Sequence, residues 1–244
     1  MSRAAQALAP LIDAASAYYR GAGHFAWPWA LGKLGDPAFA AILAHGLLSG
    51  RSRILDLGCG QALLAAWLLA ARARYASEVP GAWPHGWPSP PTLRHYTGIE
   101  INPREVARAR HALALHPGAD VQIVHGDIRD VDYGTADAVV ILDVLHYLDY
   151  AAQERVLHRV RGALGERGLL LLRVADAAGG ARFTLSKAVD QTVALMRHRR
   201  WVRLECRPLR VWEQLLAGCG FRTHALPMSG GTPFVNFLLR AELA

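Results

Sequence analysis

Lysine is nearly missing from this chain: Lys33 and Lys187 are the only two, although the formal net charge is +7. The positive charge therefore rests almost wholly on arginine. Cysteine is scarce too. Cys59, Cys206 and Cys219 are too few and too scattered for a disulfide framework or a zinc site. Long apolar runs are also lacking. The longest, Ala62–Ala71, is about half a membrane span and stops at Arg72, so no membrane-spanning segment is expected. The opening MSRAAQALAPLIDAAS has no secretory core, because Pro10 and Asp13 interrupt it, and the expected compartment is the cytoplasm.

The remaining composition is that of a globular protein, with 52% hydrophobic and 19% charged residues over 244 positions. That length suits one substantial α/β domain. The charge is unevenly spread. Arg197, Arg199, Arg200, Arg203, Arg207 and Arg210 crowd one stretch around Trp201, opposed there by Glu205 alone, a pattern that could attract an anionic partner.

The pattern predicts a helix over 5–20, an aromatic stretch (Tyr18, Tyr19, His24, Phe25, Trp27, Trp29), and a helix capped by Asp36 with Pro37 first, running to about Leu48. Arg53–Leu57 then reads as a strand, Gly58-Cys59-Gly60 as a tight turn, and 61–74 as a helix. Residues 77–95 hold five of the 13 prolines and form a loop. Further strands are expected at 96–100, 121–124, 136–142, 168–174, 221–226 and 234–240. Helices are expected at 103–115, 151–164, 186–200 and 208–218. Strand–helix alternation specifies a parallel sheet with helices on both faces, and the short connection between the last two strands permits only an antiparallel pair.

A glycine turn after a first strand lets a ligand approach the main chain at the carboxyl ends of the strands. A dinucleotide fingerprint would place glycines at 58, 60 and 63. Position 63 is Leu63, which counts against an NAD(P)-dependent oxidoreductase. Glu100, ending the second strand, has the chemistry to accept hydrogen bonds from both ribose hydroxyls of a nucleoside. Its distance from the glycine turn is about twice the usual roughly 20 residues, and the 77–95 loop, read as an insertion, accounts for the surplus.

ILDLGCG, residues 54–60, resembles the first motif of class I S-adenosylmethionine (SAM)-dependent methyltransferases, and the resemblance extends over about 50–175. It implies a Rossmann-like doubly wound α/β fold: a mostly parallel seven-stranded sheet with an antiparallel last strand, over 51–244. Residues 1–50 would be a helical extension or lid. It implies that Asp56, Gly58, Cys59 and Gly60 hold the methionine end of SAM, with Ala62 where the family often has a third glycine. Glu100 would hold the ribose, with Ile101 as a further cofactor contact. HGDIRD (125–130) resembles a later motif and places Asp127 and Ile128 at the adenine. DAVVILDVLHY (137–147) resembles the fourth, with Asp143 facing the methyl group and His146 near the acceptor, where a neutral imidazole with an unperturbed pKa near 6.5 either takes a proton or only lines the pocket. The aromatic stretch 18–29 reads either as core packing or as a lid over cofactor and substrate, with Tyr19 and Arg20 as its candidate substrate contacts.

The product would be S-adenosyl-L-homocysteine (SAH), with no metal required. LLRVADAAGGARFTLSKAVDQ, CRPL and ALPMSGGTPFVNFLL resemble bacterial methyltransferases found beside fatty-acid-like and aryl-polyene pigment synthesis genes. That implies a small-molecule acceptor, a hydroxyl or carboxyl on an acyl or aryl chain, free or held on an acidic acyl carrier protein. No nucleic-acid partner is expected. A SAM-binding protein without catalysis stands beside the oxidoreductase as an alternative.

Overall fold

The computed structural model describes residues 3–77, 79, 81–114, 120–180, 183–184, 187–188, 191–192, 203–228 and 235–243. They fall into two compact units, Met1–Val131 and Asp132–Ala244.

The first unit opens with three helices, α1 (Arg3–Ala17), α2 (Ala26–Lys33) and α3 (Pro37–Ala44). It continues β1 (Arg53–Leu57), α4 (Leu63–Tyr75), β2 (His95–Glu100), α5 (Pro103–Leu113) and β3 (Asp120–His125). The three strands are parallel in the order β3-β2-β1, with Arg53 opposite His95 and His95 opposite Asp120. Starts are set as the residue types dictate: Asp36 and Asn102 accept bonds from the N–H two residues on, each with a proline in the first turn.

The apolar run of α4 has its explanation here. Leu63 through Leu68, Ala70 and Ala71 are all buried. A helix that is apolar all round needs cover on several sides. The amino-terminal helices supply some of it: α1 packs on α4. Trp67, fully buried, donates its indole N–H to the Phe39 carbonyl of α3 at 2.9 Å and meets the Phe39 ring edge-on. The aromatic stretch is itself partly helical, as α2, and α3 ends at Ala44 rather than Leu48. β2 begins at His95, so the proline-rich loop ends at Arg94.

The second unit holds β4 (Ala136–Leu142), α6 (Tyr150–Ala163), β5 (Leu164–Ala175), α7 (Leu209–Gly218), β6 (Phe221–Pro227) and β7 (Asn236–Leu243). Its strand order is β4-β5-β7-β6. β4 and β5 are parallel; β7 runs antiparallel to both β5 and β6. Ala138 to Ile141 are fully buried, as a strand covered on both faces must be. The last hairpin therefore pairs as its short connection requires, but with β7 inserted next to β5. The seven strands, mostly parallel with β7 reversed, and the helices between them make the expected Rossmann-like α/β architecture. Most of the predicted helix 186–200 lies outside the described residues.

Candidate functional site

In the first unit the chain leaves β1 through Gly58 (φ 75°) and Gly60 (φ 56°), and Ala62 (φ 58°) precedes α4 in the same left-handed region. Glycine enters that region without a steric cost; at Ala62 the strain is local to the turn. The N–H groups of Gly58 and Cys59 both donate to the Ile99 carbonyl, at 2.8 and 3.1 Å. The turn thus leans on the end of β2. Gly98 permits the approach, since a Cβ there would lie 2.7 Å from Cys59 Sγ. Burial pushes the Cys59 thiol well above its usual range.

Glu100 closes the arrangement. Its Oε2 accepts from the Gly60 N–H at 2.9 Å and its Oε1 from the Asn102 N–H at 2.8 Å. The carboxylate is buried and joins the glycine turn to the β2–α5 loop. Each oxygen keeps room for a second donor. Ile101, the next residue, is exposed.

Asp56 is buried on β1 and accepts the Tyr96 hydroxyl. Burial raises its pKa from 3.8 to about 7; the Tyr96 bond acts against this and the charge of Glu100 adds to it. Tyr19, expected at a substrate surface, is instead fully interior. Its hydroxyl donates to the Gln61 carbonyl at 2.8 Å, so it supports the turn from within the core. Its neighbour Arg20 is exposed, with its guanidinium 5.6 Å from the Trp27 ring centroid.

Gln61 is a residue that sequence reasoning missed. It follows Gly60 directly and is 1% exposed, yet neither Oε1 nor Nε2 has a hydrogen-bond partner. A buried, unpaired amide costs about 1–3 kcal/mol. Nothing in the sequence marks it, because glutamine is ordinarily a surface residue.

After β3, both oxygens of Asp127 receive the Arg129 guanidinium, and Oδ1 also accepts the Arg129 N–H. The Arg129 hydrogen bond is the main cause of its lowered pKa. Any other donor must share those oxygens. Ile128 beside it is buried.

In the second unit β4 ends at Leu142, and Asp143 follows with φ 59°, a left-handed conformation uncommon outside glycine. Its Oδ2 accepts from Arg173 Nη1 of β5 at 3.1 Å, and the Arg173 side chain is 5% exposed. A single 3₁₀ turn, Leu145–Tyr147, carries His146. The imidazole is buried, its ring 4.2 Å from that of Tyr147, and the residue's carbonyl accepts the Glu205 N–H at 2.8 Å. The arginine cluster is less open than its sequence suggests. Arg207 donates to Gln153 Oε1 at 2.8 Å, to Glu154 at 2.7 Å and to the Tyr150 carbonyl, and stacks over the Tyr150 ring. Glu154 is thus a second opposing acid that linear reading did not find. Arg203 pairs with Glu205 and Arg210 is exposed. Arg197, Arg199, Arg200 and Trp201 lie outside the described residues.

Among the described residues no cluster of His, Cys, Asp and Glu is placed to hold a metal ion, and no helix is long and apolar enough to cross a membrane.

Residues 55–170 match the family described as a methyltransferase domain. A curated relative, carboxy-S-adenosyl-L-methionine synthase of Chromohalobacter salexigens, is 33% identical over 143 residues, 56% of this chain and 47% of that protein. The same-named protein of Psychrobacter arcticus is 29% identical over 122 residues, 50% of this chain and 40% of that one. The matches thus span about half the length of these relatives or less. Among solved structures, an O-methyltransferase family protein from Burkholderia thailandensis superposes with TM-score 0.62 at 18% identity, over 90% of this chain and 59% of that one. Magnesium protoporphyrin IX methyltransferase from Synechocystis PCC 6803 with bound SAH superposes with TM-score 0.58 at 18% identity, over 93% and 94%.

Proposed function

We propose that this chain, which carries a methyltransferase domain over residues 55–170, binds SAM and transfers its methyl group to a small-molecule acceptor, releasing SAH. The observation that carries the reading is the buried carboxylate of Glu100, bonded to the glycine turn at Gly60 and to Asn102. It fixes a left-handed turn and an acid together at the carboxyl ends of two adjacent parallel strands, where nucleosides bind in this class of fold.

The residues present fit the cofactor. Glu100 retains acceptor capacity for the ribose hydroxyls, and Asp56 is a buried acid suited to the cationic methionine end. Gly58, Cys59 and Gly60 offer close main-chain approach, with Gln61 following on the same turn. Ile101, Asp127 and Ile128 are assigned to the ribose and adenine side. Arg129 holds Asp127 in place as it does so. SAM, when bound, supplies an activated methyl on a sulfonium. The protein's task is then to hold the acceptor in line with it, and positioning of that kind is worth on the order of 7–11 kcal/mol. In the second unit we assign Asp143, fixed by Arg173, to the cofactor, and His146 to removal of the acceptor proton. Tyr19 acts as a support of the turn, and Arg20 as the exposed contact for substrate.

The acceptor we assign is a hydroxyl or carboxyl of an acyl or aryl chain, free or on an acidic acyl carrier protein. The resemblance of the carboxyl-terminal half to enzymes of pigment synthesis supports this. The names of the curated relatives favour one second reading, in which SAM is itself modified to a carboxy derivative. Mass spectrometry of the products separates the two: an acceptor heavier by one methyl with SAH released, or a carboxylated SAM.

Binding is tested by thermal shift. Ligand at about 100 times its dissociation constant stabilises by roughly 2.7 kcal/mol. SAM and SAH are expected to raise the melting temperature while NAD and NADP do not. Stabilisation by NADH and not by SAM would overturn the reading.

A further inference from the structure

The proline-rich loop lengthens the path from the glycine turn to Glu100, but the cofactor reading gives it no work. Its last residues, together with those entering β1, line a cleft of about 370 Å³. Ser49, Arg51, Arg72, Ser89, Thr92 and Arg94 are on its walls, and no acid is among the described residues that line it. The cleft lies where β1 and β2 begin. The glycine turn lies where they end, about 16 Å further along a five-residue strand.

Its walls are held in place. The Ser52 carbonyl accepts the N–H groups of both Arg94 and His95 at 3.0 Å, which ties the loop's end to the entry of β1. The Arg94 carbonyl in turn accepts the Asp120 N–H of β3. Pro90, Pro91 and Leu93 are buried and anchor the segment. Further back, Pro88 lies so close to Gly46 that a Cβ there would come within 2.9 Å of its Cγ. Arg72 projects from α4 just past its buried run, and its guanidinium lies 5.8 Å from the Tyr75 ring centroid. Arg72 and Arg94 are exposed and make no ion pair among the described residues.

We propose that this cleft is a binding site for a small phosphate-bearing ligand, separate from the cofactor turn. Arg72 and Arg94, two exposed guanidiniums beside one concavity without a lining acid, repel one another until an anion sits between them. Guanidinium forks match phosphate oxygens two at a time, and the serine and threonine hydroxyls supply further donors. The volume is at the small end of ligand cavities, about 300–1,000 Å³, and admits a phosphate or pyrophosphate group. The loop is then the structure that completes the site.

The test is calorimetric titration of the whole chain with inorganic pyrophosphate at fixed ionic strength. One saturable site is expected. Arg72→Gln with Arg94→Gln should weaken it by about tenfold or more, the scale of a lost charge-assisted contact. Ser89→Asp, at an exposed position, should weaken it as well. Arg222→Gln, an exposed arginine on β6, should leave it unchanged. SAH affinity should stay the same in all of them, so failure here is distinguishable from failure of the cofactor assignment. Absence of saturable binding, or an equal loss in Arg222→Gln, would overturn the proposal, the latter by showing a diffuse response to net charge.

Discussion

Replacing Gln61 by leucine is expected to move stability and cofactor affinity in opposite directions. Gln61 is 1% exposed and its amide atoms are unpaired, while its backbone carbonyl holds the Tyr19 hydroxyl at 2.8 Å. Leucine retains most of the side-chain volume and leaves that carbonyl in place, so the support from Tyr19 survives. Without ligand, removing a buried unpaired amide relieves about 1–3 kcal/mol. At roughly 2–4 °C per kcal/mol for a chain of this size, the melting temperature should rise by roughly 2–12 °C. If the amide serves the cofactor, the same change removes its bonds to SAM and SAH, a loss of about 1–3 kcal/mol or roughly 5- to 150-fold in affinity. Scanning fluorimetry of the free protein reads the first effect and calorimetry with SAH the second. A lower melting temperature with SAH affinity unchanged would refute the reasoning, because the amide would then belong to folding and not to binding.

Asp56 links the cofactor to pH. Its pKa in the fold is about 7 against the ordinary 3.8, so the folded chain holds a proton that the unfolded chain has released. The free protein is therefore expected to lose about 4 kcal/mol of stability as pH rises from about 4 through 7, and Asp56→Asn should flatten that slope. A cationic ligand beside Asp56 favours the carboxylate, so SAM binding at pH 6.5 should release part of a proton; identical calorimetric heats in buffers of different ionisation enthalpy would contradict this. His146→Ala should cost on the order of 10²–10⁴ in turnover and remove the acid limb of the pH–rate profile, with SAH affinity intact. A loss under about fivefold would return His146 to a packing role.

The sequence by itself determined the elements whose signal is local. The short run at 53–57 before Gly58 and Gly60 reads as a strand entering a turn, and Asp36 with Pro37 reads as a helix start. Glu100 was recognisable because it ends a strand, and Asp56 and Asp127 because the motifs that hold them resemble those of a known family. The tertiary structure alone decided what those side chains meet. Glu100 reaches Gly60 across forty positions of chain, and Arg207 reaches Glu154 across more. Such partners have no periodicity to betray them. Tyr19 and Arg20 show the same limit at its sharpest: adjacent residues, one at the centre of the core and one in solvent, separated only by where the chain turns after α1. Nor could the sequence place β7 beside β5, since a hairpin's length requires its two strands to be antiparallel but leaves open which of them meets the rest of the sheet. Gln61 and the arginine-lined cleft are of this kind too. Burial of an amide and convergence of Arg51, Arg72 and Arg94 are properties of packing, which exist only once the chain has folded.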